Sequence, residues 1–253
     1  MTNQKERYDL RYSSDYRQKI SGFEVARWDA LSHFIPNIAG IKGAPKLLDY
    51  GSGSGLYVPL WKKLLPDTEL HCCDISSVAL EKLSEKFPDL TNRCYLVDGY
   101  RAETGDEQFD AVISVEVMEH VEDVESYLRD VHRLLKPGGK FIWTTPCANP
   151  FSIEHIIYYL TGQIEQLDDG YRRWKSEADV HVRRFKSGEV KSLLYKNGFE
   201  DVNFRFRSHL FSYLGTRFPG KLKHLAEKMM TLDYRLFRRM PNGASMLGVA
   251  KIN

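Results

Sequence analysis

Cysteine, net charge and long apolar runs are all scarce in this 253-residue sequence. Its four cysteines, Cys72, Cys73, Cys94 and Cys147, form no C-x-x-C pair, which argues against a disulfide framework and a structural zinc site. No run of about 18 apolar residues is present, so no segment is predicted to span a membrane. The first residues are polar and predict no signal peptide. We therefore expect a cytoplasmic protein with reduced thiols.

Charge is nearly balanced, with 36 Lys and Arg against 34 Asp and Glu, a net charge of +2. A globally basic nucleic-acid-binding protein is therefore not expected. Charged residues make up 28% of the chain and hydrophobic residues 42%, which is typical of a globular protein and not of a disordered one. The length fits one large domain with insertions.

Short apolar strands alternate with helices along the first part of the chain. Predicted strands cover 46–50, 69–73, 94–97, 109–115 and 140–145. Predicted helices cover 56–65 and 76–87, and a third follows the strand 109–115 and ends at Lys136. This alternation is typical of a parallel sheet with right-handed crossovers. A further helix at 187–197 precedes a sixth strand at 201–207, and a last strand at 244–252 is predicted to pair with the sixth.

A glycine-rich turn follows the first strand, with the sequence Asp49-Tyr50-Gly51-Ser52-Gly53-Ser54-Gly55. Glycines let the backbone approach a ligand closely, and the N–H groups of the next helix then face that ligand. The spacing matches neither GxGxxG nor GxxxxGK[ST], so hydrolysis of ATP or GTP is not expected. The alternative is a tight turn without a ligand.

Acidic residues end the second and third strands. Asp74 follows Gly55 by 19 residues, where a carboxylate can accept hydrogen bonds from both hydroxyls of a ribose. The alternative for Asp74 is an N-cap of the next helix, a position that Ser76 can also fill. Asp98, followed by Gly99, is placed to reach an adenine amine, or else is a turn residue. Together these strand ends predict a nucleoside site.

Five segments in this order resemble the successive motifs of class I S-adenosylmethionine (SAM)-dependent methyltransferases. They are KLLDYGSGSG, HCCDIS, VDG, FDAVISVEVMEHV and RLLKPGGKFIWTTP, within about residues 46–146. The resemblance implies a Rossmann-like, doubly wound α/β sheet of seven strands, the last antiparallel, here with helical cap insertions. It also implies SAM as cofactor and S-adenosylhomocysteine (SAH) as its product.

The resemblance assigns cofactor contacts to named residues. The glycine turn would receive the methionine end of the cofactor, Asp74 the ribose, and Asp98 would lie near the adenine. Asp49 would act through the turn and the cofactor amino group, and Arg27 would pair with the cofactor carboxylate or else be a solvated helix residue. The full predicted set is Arg27, Asp49, Gly51, Ser52, Gly53, Asp74, Ile75, Asp98, Gly99 and Val115.

The segment EVMEHV is similar to one in ubiquinone-biosynthesis O-methyltransferases and their relatives, some of which hold a divalent metal on an E-x-x-E-H group. A helical turn would place Glu116, Glu119 and His120 on one face. We predict no metal and take these three, with His181 in the segment DVHVRRF, as candidate catalytic residues. His181 and His120 are the first candidates for a general base, since histidine titrates near neutral pH. Metal-binding and purely structural roles stay open as alternatives.

Residues 205–239 contain nine Lys or Arg and two acids, a local charge of +7. Apolar residues recur there at helical spacing, which predicts a basic amphipathic helix. Three interpretations stay open: a helix docked on the domain, peripheral membrane contact through 209–240, or a clamp for an anionic substrate.

We predict methyl transfer to an oxygen, and less readily to a nitrogen, of a small-molecule, lipid-linked or glycan acceptor. The alternatives are a protein or RNA methyltransferase and a cofactor-binding partner subunit without catalysis. The predicted location is cytoplasmic, with or without membrane contact, and a homodimer is an open alternative. One domain over 1–253 is predicted, comprising a helical cap (1–40, with a helix at 22–35 that Pro36 stops), a cofactor-binding core (41–146), a cap insertion (147–185), further core (186–208), a basic insertion (209–242) and a final strand (243–253).

Overall fold

The computed structural model describes residues 4–14, 22–105, 108–211 and 222–253. Its helices are α1 (Gln4–Ser13), α2 (Gly22–Phe34), α3 (Val58–Leu64), α4 (Ser77–Lys86), α5 (Val124–Leu134), α6 (Ile153–Leu160), α7 (Ser187–Lys196) and α8 (Lys223–Phe237). Its strands are β1 (Lys46–Tyr50), β2 (Glu69–Asp74), β3 (Cys94–Asp98), β4 (Arg101–Ala102), β5 (Phe109–Val115), β6 (Leu135–Pro146), β7 (Ile164–Gln166), β8 (Arg172–Trp174), β9 (Glu200–Arg207) and β10 (Ser245–Lys251).

The central sheet has eight strands in the order β4-β3-β2-β1-β5-β6-β10-β9. Strands β3, β2, β1, β5 and β6 pair in parallel, whereas β10 is antiparallel to both β6 and β9. The predicted doubly wound α/β fold with an antiparallel last strand is confirmed, as is the pairing of the last two strands. The prediction of seven strands is short by one, because the two residues of β4 turn back and pair with the end of β3.

Two apolar cores cover the two faces of the sheet. On one face Tyr127 and Leu128 of α5 pack with Leu194 of α7. On the other face α2, α3 and α8 contribute side chains that include Phe34 and Trp61. Burial on both faces explains why the central strands read as continuous apolar runs.

Two predicted helix boundaries are wrong for local reasons. Helix α2 ends at Phe34 but continues through Pro36 as one π-helical turn, Ile35–Ala39. The π-helical turn closes with the Gly40 N–H donating to the Ile35 carbonyl, a bond that needs no N–H from Pro36. The helix predicted to follow β5 directly begins only at Val124, where the Asp123 side chain accepts a hydrogen bond from the Ser126 N–H.

Both predicted insertions contain secondary structure of their own. Residues 147–185 form α6 and the antiparallel pair β7–β8, and the Ala148 N–H donates to the Phe185 carbonyl where the insertion closes. In the second insertion α8 packs along α2, with an Arg235–Asp29 ion pair of 2.9 Å. The part of this insertion at 212–221 lies outside the described residues. No helix in the described ranges is long and apolar enough to cross a bilayer.

Candidate functional site

A cleft that is open to solvent lies at the carboxyl ends of the parallel strands, where open α/β sheets bind ligands. Backbone and side chains from β1, β2, β3 and β5 form its floor, and the N-terminal helix α1 contributes to its wall. The lining residues are Gln4, Tyr8, Tyr12, Tyr50, Gly51, Asp74, Ile75, Val97, Gly99, Tyr100, Val115, Glu116, Val117, His120, Val121 and Tyr127.

The glycine turn has a backbone shape that other residues rarely adopt. Gly51 has φ 78° and Gly53 has φ 54°, both in the left-handed region that favours glycine. A Cβ atom on Gly51 would also collide with the side chain of Val117. The N–H groups of Gly51 and Ser52 both donate to the Cys73 carbonyl, at 2.8 and 3.0 Å, which ties the turn to β2. The glycines are therefore required by the shape of the cleft.

Asp74 projects into the cleft from the end of β2. Its two carboxylate oxygens accept from the Gly53 N–H at 2.8 Å and from the Ser76 N–H at 2.9 Å. Burial raises the pKa of Asp74 to about 6. The cap of α4 is Ser76, whose hydroxyl accepts from the Ala79 N–H, so the N-cap alternative for Asp74 does not hold.

The other residues in the predicted cofactor set fall into two groups. Ile75, Gly99 and Val115 line the cleft beside Gly51 and Asp74. The second group belongs to the glycine turn or flanks it and does not line the cleft: Asp49, Ser52 and Gly53. Asp98 is exposed next to Gly99.

Two of the predicted cofactor residues have protein partners. The Asp49 carboxylate accepts from Trp61 Nε1 at 2.8 Å, and burial raises its pKa to about 7. Arg27 is buried, forms a 2.9 Å ion pair with Glu116 and donates to the Tyr57 hydroxyl at 3.0 Å. Arg27 is therefore not the solvated helix residue that the sequence allowed.

Glu116, Glu119 and His120 do not share a helical face, and that prediction is wrong. Glu116 has φ 56°, and only the short 3-10 turn Met118–His120 follows it. Glu116 therefore faces Arg27 and also accepts from the Thr144 hydroxyl at 2.8 Å. Glu119 instead turns inward and accepts from the Thr145 hydroxyl at 3.0 Å.

A compact cluster forms from Glu119, His120 and His181, with one ligand atom of each within 4.8 Å of the others. His120 Nδ1 lies 2.8 Å from the Val180 carbonyl, and His181 Nδ1 lies 2.8 Å from the Glu177 carboxylate. A carbonyl oxygen only accepts hydrogen bonds, so Nδ1 of His120 donates to Val180. Nε2 is then the nitrogen that can exchange a proton, and it lies 3.8 Å from the Glu119 carboxylate. Burial raises the pKa of Glu119.

This cluster can either move a proton or hold a cation. An unprotonated imidazole nitrogen beside a carboxylate suits a general base. The same atoms also suit a divalent metal, and the set differs from the one that the sequence suggested, because His181 takes the place of Glu116.

Comparison with known proteins agrees with this geometry. The methyltransferase-domain family profile matches residues 48–141. The ubiquinone/menaquinone biosynthesis C-methyltransferase of Desulfotalea psychrophila is 28% identical over 188 residues, which cover 71% of this chain and 74% of that protein. The ubiquinone biosynthesis O-methyltransferase of Ruegeria pomeroyi is 39% identical over 102 residues, or 40% of this chain and 38% of that one.

A solved SAM-dependent methyltransferase of Thermotoga maritima, described as a possible histamine N-methyltransferase, superposes over the full length of both chains with a TM-score of 0.62 at 18% identity. That likeness supports the fold. Together, the profile, the relatives and the fold support a class I SAM-dependent methyltransferase. The enzyme uses SAM as its methyl donor, as the resemblance implied.

The sequence predicted a helical cap over 1–40 but assigned no site residue to its first helix, α1. Helix α1 crosses the cleft, and the Gln4 amide donates to the His120 carbonyl at 2.5 Å. At the other end of the helix, Asp9 accepts from the Ser76 hydroxyl at 2.6 Å, and Tyr12 packs on Gly53. The recurrence of tyrosines at 8 and 12 was the available signal, since this spacing places both on one face of a helix. Tyr16 lies outside the described residues.

Proposed function

We propose that the enzyme transfers the SAM methyl group to an oxygen of a small-molecule, lipid-linked or glycan acceptor, with His120 as the general base. The observation that carries the proposal is His120 itself, which lines the cleft and is oriented by the bond from its Nδ1 to the Val180 carbonyl, so that Nε2 is the nitrogen that exchanges a proton. Bound SAM supplies a methyl group activated by its sulfonium charge. The acceptor oxygen attacks that carbon, the carbon–sulfur bond breaks, and the hydroxyl proton passes to His120 Nε2.

The protein contributes alignment first and proton removal second. Holding donor and acceptor in line can supply roughly 7–11 kcal/mol of the barrier, and a positioned base adds a factor of about 10²–10⁴. We assign Asp74 to the ribose, the turn at Gly51 to the methionine end, and Ile75 and Gly99 to the walls of the adenine slot. His181 and Glu119 lie behind His120 and orient it.

One relative, a ubiquinone biosynthesis O-methyltransferase, supports an oxygen acceptor. The other, a ubiquinone/menaquinone biosynthesis C-methyltransferase, supports a small-molecule acceptor but not the oxygen atom. An acceptor that must lose a proton also explains the need for a base. We therefore expect an aromatic hydroxyl on an apolar molecule. A macromolecular acceptor and a subunit without catalysis are outcomes of the test below.

The test uses SAM labelled with ¹³C in its methyl group and the full-length enzyme. Candidate acceptors are hydroxylated aromatics, prenylated phenols, glycans and lipid extract, with protein and RNA as separate arms. The ¹³C chemical shift of the product distinguishes a methyl group on oxygen from one on nitrogen or carbon. Label that enters only protein or RNA, or a methyl group on nitrogen or carbon, would contradict the proposal, and no label anywhere would favour the partner-subunit alternative.

The role of His120 is tested with His120→Gln. We expect the rate to fall by about 10²–10⁴-fold and the pH profile of the rate to change, because the proton acceptor is removed. The affinity for SAH should stay within a few-fold of wild type, because the cofactor half of the cleft is untouched. If the variant kept the wild-type rate and pH profile, His120 would not be the general base.

A further inference from the structure

Helix α8 has apolar side chains on two of its faces. The inner face, with Ala226, Met230 and Tyr234, is buried against the domain. Leu225, Leu232 and Leu236 follow one another at intervals of seven and four residues on the outer face, and they are 47%, 45% and 59% exposed. A helix that only docks on its own domain needs one apolar face, so the outer row requires another explanation.

Basic side chains border this outer row. Lys228, Arg235 and Arg239 are all exposed. Arg235 pairs with Asp29, whereas Lys228 and Arg239 form no ion pair within the described residues. An apolar row with a basic border is the composition of a helix that lies at a membrane surface.

A second apolar surface adjoins the end of α8. Phe151 is 75% exposed and has φ 69°, a conformation that is strained for a residue with a side chain. Pro150 and Phe151 line one groove together with Pro241 and Lys186, and the Asn149 amide donates to the Pro241 carbonyl at 2.8 Å. The strained backbone therefore holds an aromatic ring out towards solvent, beside the segment that follows α8.

Helix α6 extends the surface beyond Phe151. It has no fully buried residue, and Ile156, Tyr159 and Leu160 are 43%, 71% and 77% exposed. We call the outer row of α8, Phe151 and these three residues of α6 the α6–α8 surface. Isolated exposed apolar residues are ordinary, whereas exposed rows on two helices, with Phe151 held outward between α6 and the segment that follows α8, indicate an interaction site.

A series of ion pairs connects the inner face of α6 to the acceptor side of the cleft. Glu154 on α6 pairs with buried Arg184 at 2.7 Å, and Arg184 pairs with Glu177 at 2.6 Å. Glu177 in turn contacts His181, whose ring centroid lies 5.0 Å from that of His120. A single chain of charged contacts thus joins the α6–α8 surface to the histidines of the site.

We propose that the α6–α8 surface docks the enzyme on an anionic lipid bilayer, with α6 and α8 lying in the headgroup region. Anionic headgroups complement Lys228, Arg239 and Lys186, and the apolar side chains enter the acyl boundary. A second copy of the chain fits less well, because a twofold contact through α8 would bring the basic borders of the two copies together. Docking would hold the acceptor side next to the bilayer, which suits an acceptor carried in lipid.

The test measures co-sedimentation of the full chain with vesicles of phosphatidylcholine alone or with phosphatidylglycerol added. We expect at least tenfold tighter binding to the anionic vesicles, weakened by added salt. The pair Leu232→Glu and Leu236→Glu, and separately Phe151→Ser, should each lose at least tenfold in vesicle affinity. Charge reversal in Lys228→Glu with Arg239→Glu should abolish the preference for anionic lipid.

Tyr195→Glu is the matched control, since Tyr195 is 50% exposed on α7, away from this surface. It should bind vesicles as wild type does, and SAH binding by all variants verifies that they are folded. The proposal would be overturned if the wild-type protein did not bind vesicles, or if the surface variants bound them as tightly as wild type does. A dimer in light scattering that the Leu232→Glu and Leu236→Glu pair dissociates would assign the surface to a second copy. Vesicle binding needs no turnover, so this result is independent of the acceptor.

Discussion

Asp74→Asn separates the role of Asp74 in cofactor binding from its role in stability. The pKa of Asp74 is raised from 3.8 to about 6, so between these pH values the native protein binds more protons than the unfolded chain. Stability therefore falls as pH rises through that window, by about 3 kcal/mol at 1.36 kcal/mol per pH unit. Asparagine removes the charge and with it this loss of stability.

The same substitution weakens the native hydrogen bonds of the turn. The Asp74 carboxylate accepts from two N–H groups, of Gly53 and Ser76, whereas an amide oxygen replaces only one of the two carboxylate oxygens. The unpaired donor costs about 1–3 kcal/mol. The two effects oppose each other, so we expect the variant without cofactor to match wild-type stability at pH 7.5 to within about 2 kcal/mol. The loss of a charged ribose contact, about 1.5–3 kcal/mol, should weaken SAH binding roughly tenfold to a hundredfold.

Calorimetric titration with SAH and thermal unfolding at pH 5 and pH 7.5 test both halves of this prediction. Asp67→Asn is the matched control, because Asp67 is an exposed carboxylate away from the cleft, and both quantities should stay unchanged. A variant of Asp74 with a much lower melting temperature and unchanged SAH affinity would refute the reasoning. In that case Asp74 would only hold the glycine turn in place.

Further substitutions test the turn, the cluster and the cap. Gly51→Ala should weaken SAH binding and lower the free energy of unfolding by about 1–2 kcal/mol, as measured by titration and urea unfolding. Adding Val117→Ala removes the collision with the new Cβ, so the double variant should recover only the stability lost to that collision. Glu119→Gln should flatten the dependence of melting temperature on pH above 4.5, because the raised pKa of Glu119 makes wild type lose stability as pH rises there; an unchanged pH profile would contradict this. Arg184→Met should cost more stability in urea unfolding than Arg173→Met, because Arg184 is 4% exposed and pairs with both Glu154 and Glu177. Arg173 is 26% exposed in its pair with Glu165, and its replacement should cost under about 1 kcal/mol.

The features that the sequence predicted well are those fixed by short-range chemistry. The turn at Gly51 and Gly53 follows from residues that adopt positive φ, and its place after a buried strand follows from the apolar run before it. The cap at Ser76 is equally local. Because parallel strands end at one edge, these local elements were enough to predict where the cleft lies.

The acceptor side depends on contacts that no local pattern encodes. The left-handed φ of Glu116 broke the predicted helical face, and nothing in the residue type signals that conformation. The contact of His120 with His181 joins two segments about sixty residues apart, and α1 reaches the cleft from the start of the chain. Such contacts are set by tertiary packing, so the sequence supplied the candidate residues without their grouping.

The buried carboxylates of Asp74 in the cleft and Asp49 behind it would favour a positively charged ligand over a neutral one. Burial raises the pKa values of Asp49 and Asp74, and the negative charge of Asp74 contributes to the rise at Asp49. Each ionised carboxylate therefore lowers the stability of the empty protein, and a positively charged ligand offsets that loss. SAM carries a sulfonium charge that SAH lacks, so the same carboxylates attract the donor more strongly than the product. Transfer of the methyl group removes the charge that they stabilise, which favours release of SAH after the reaction.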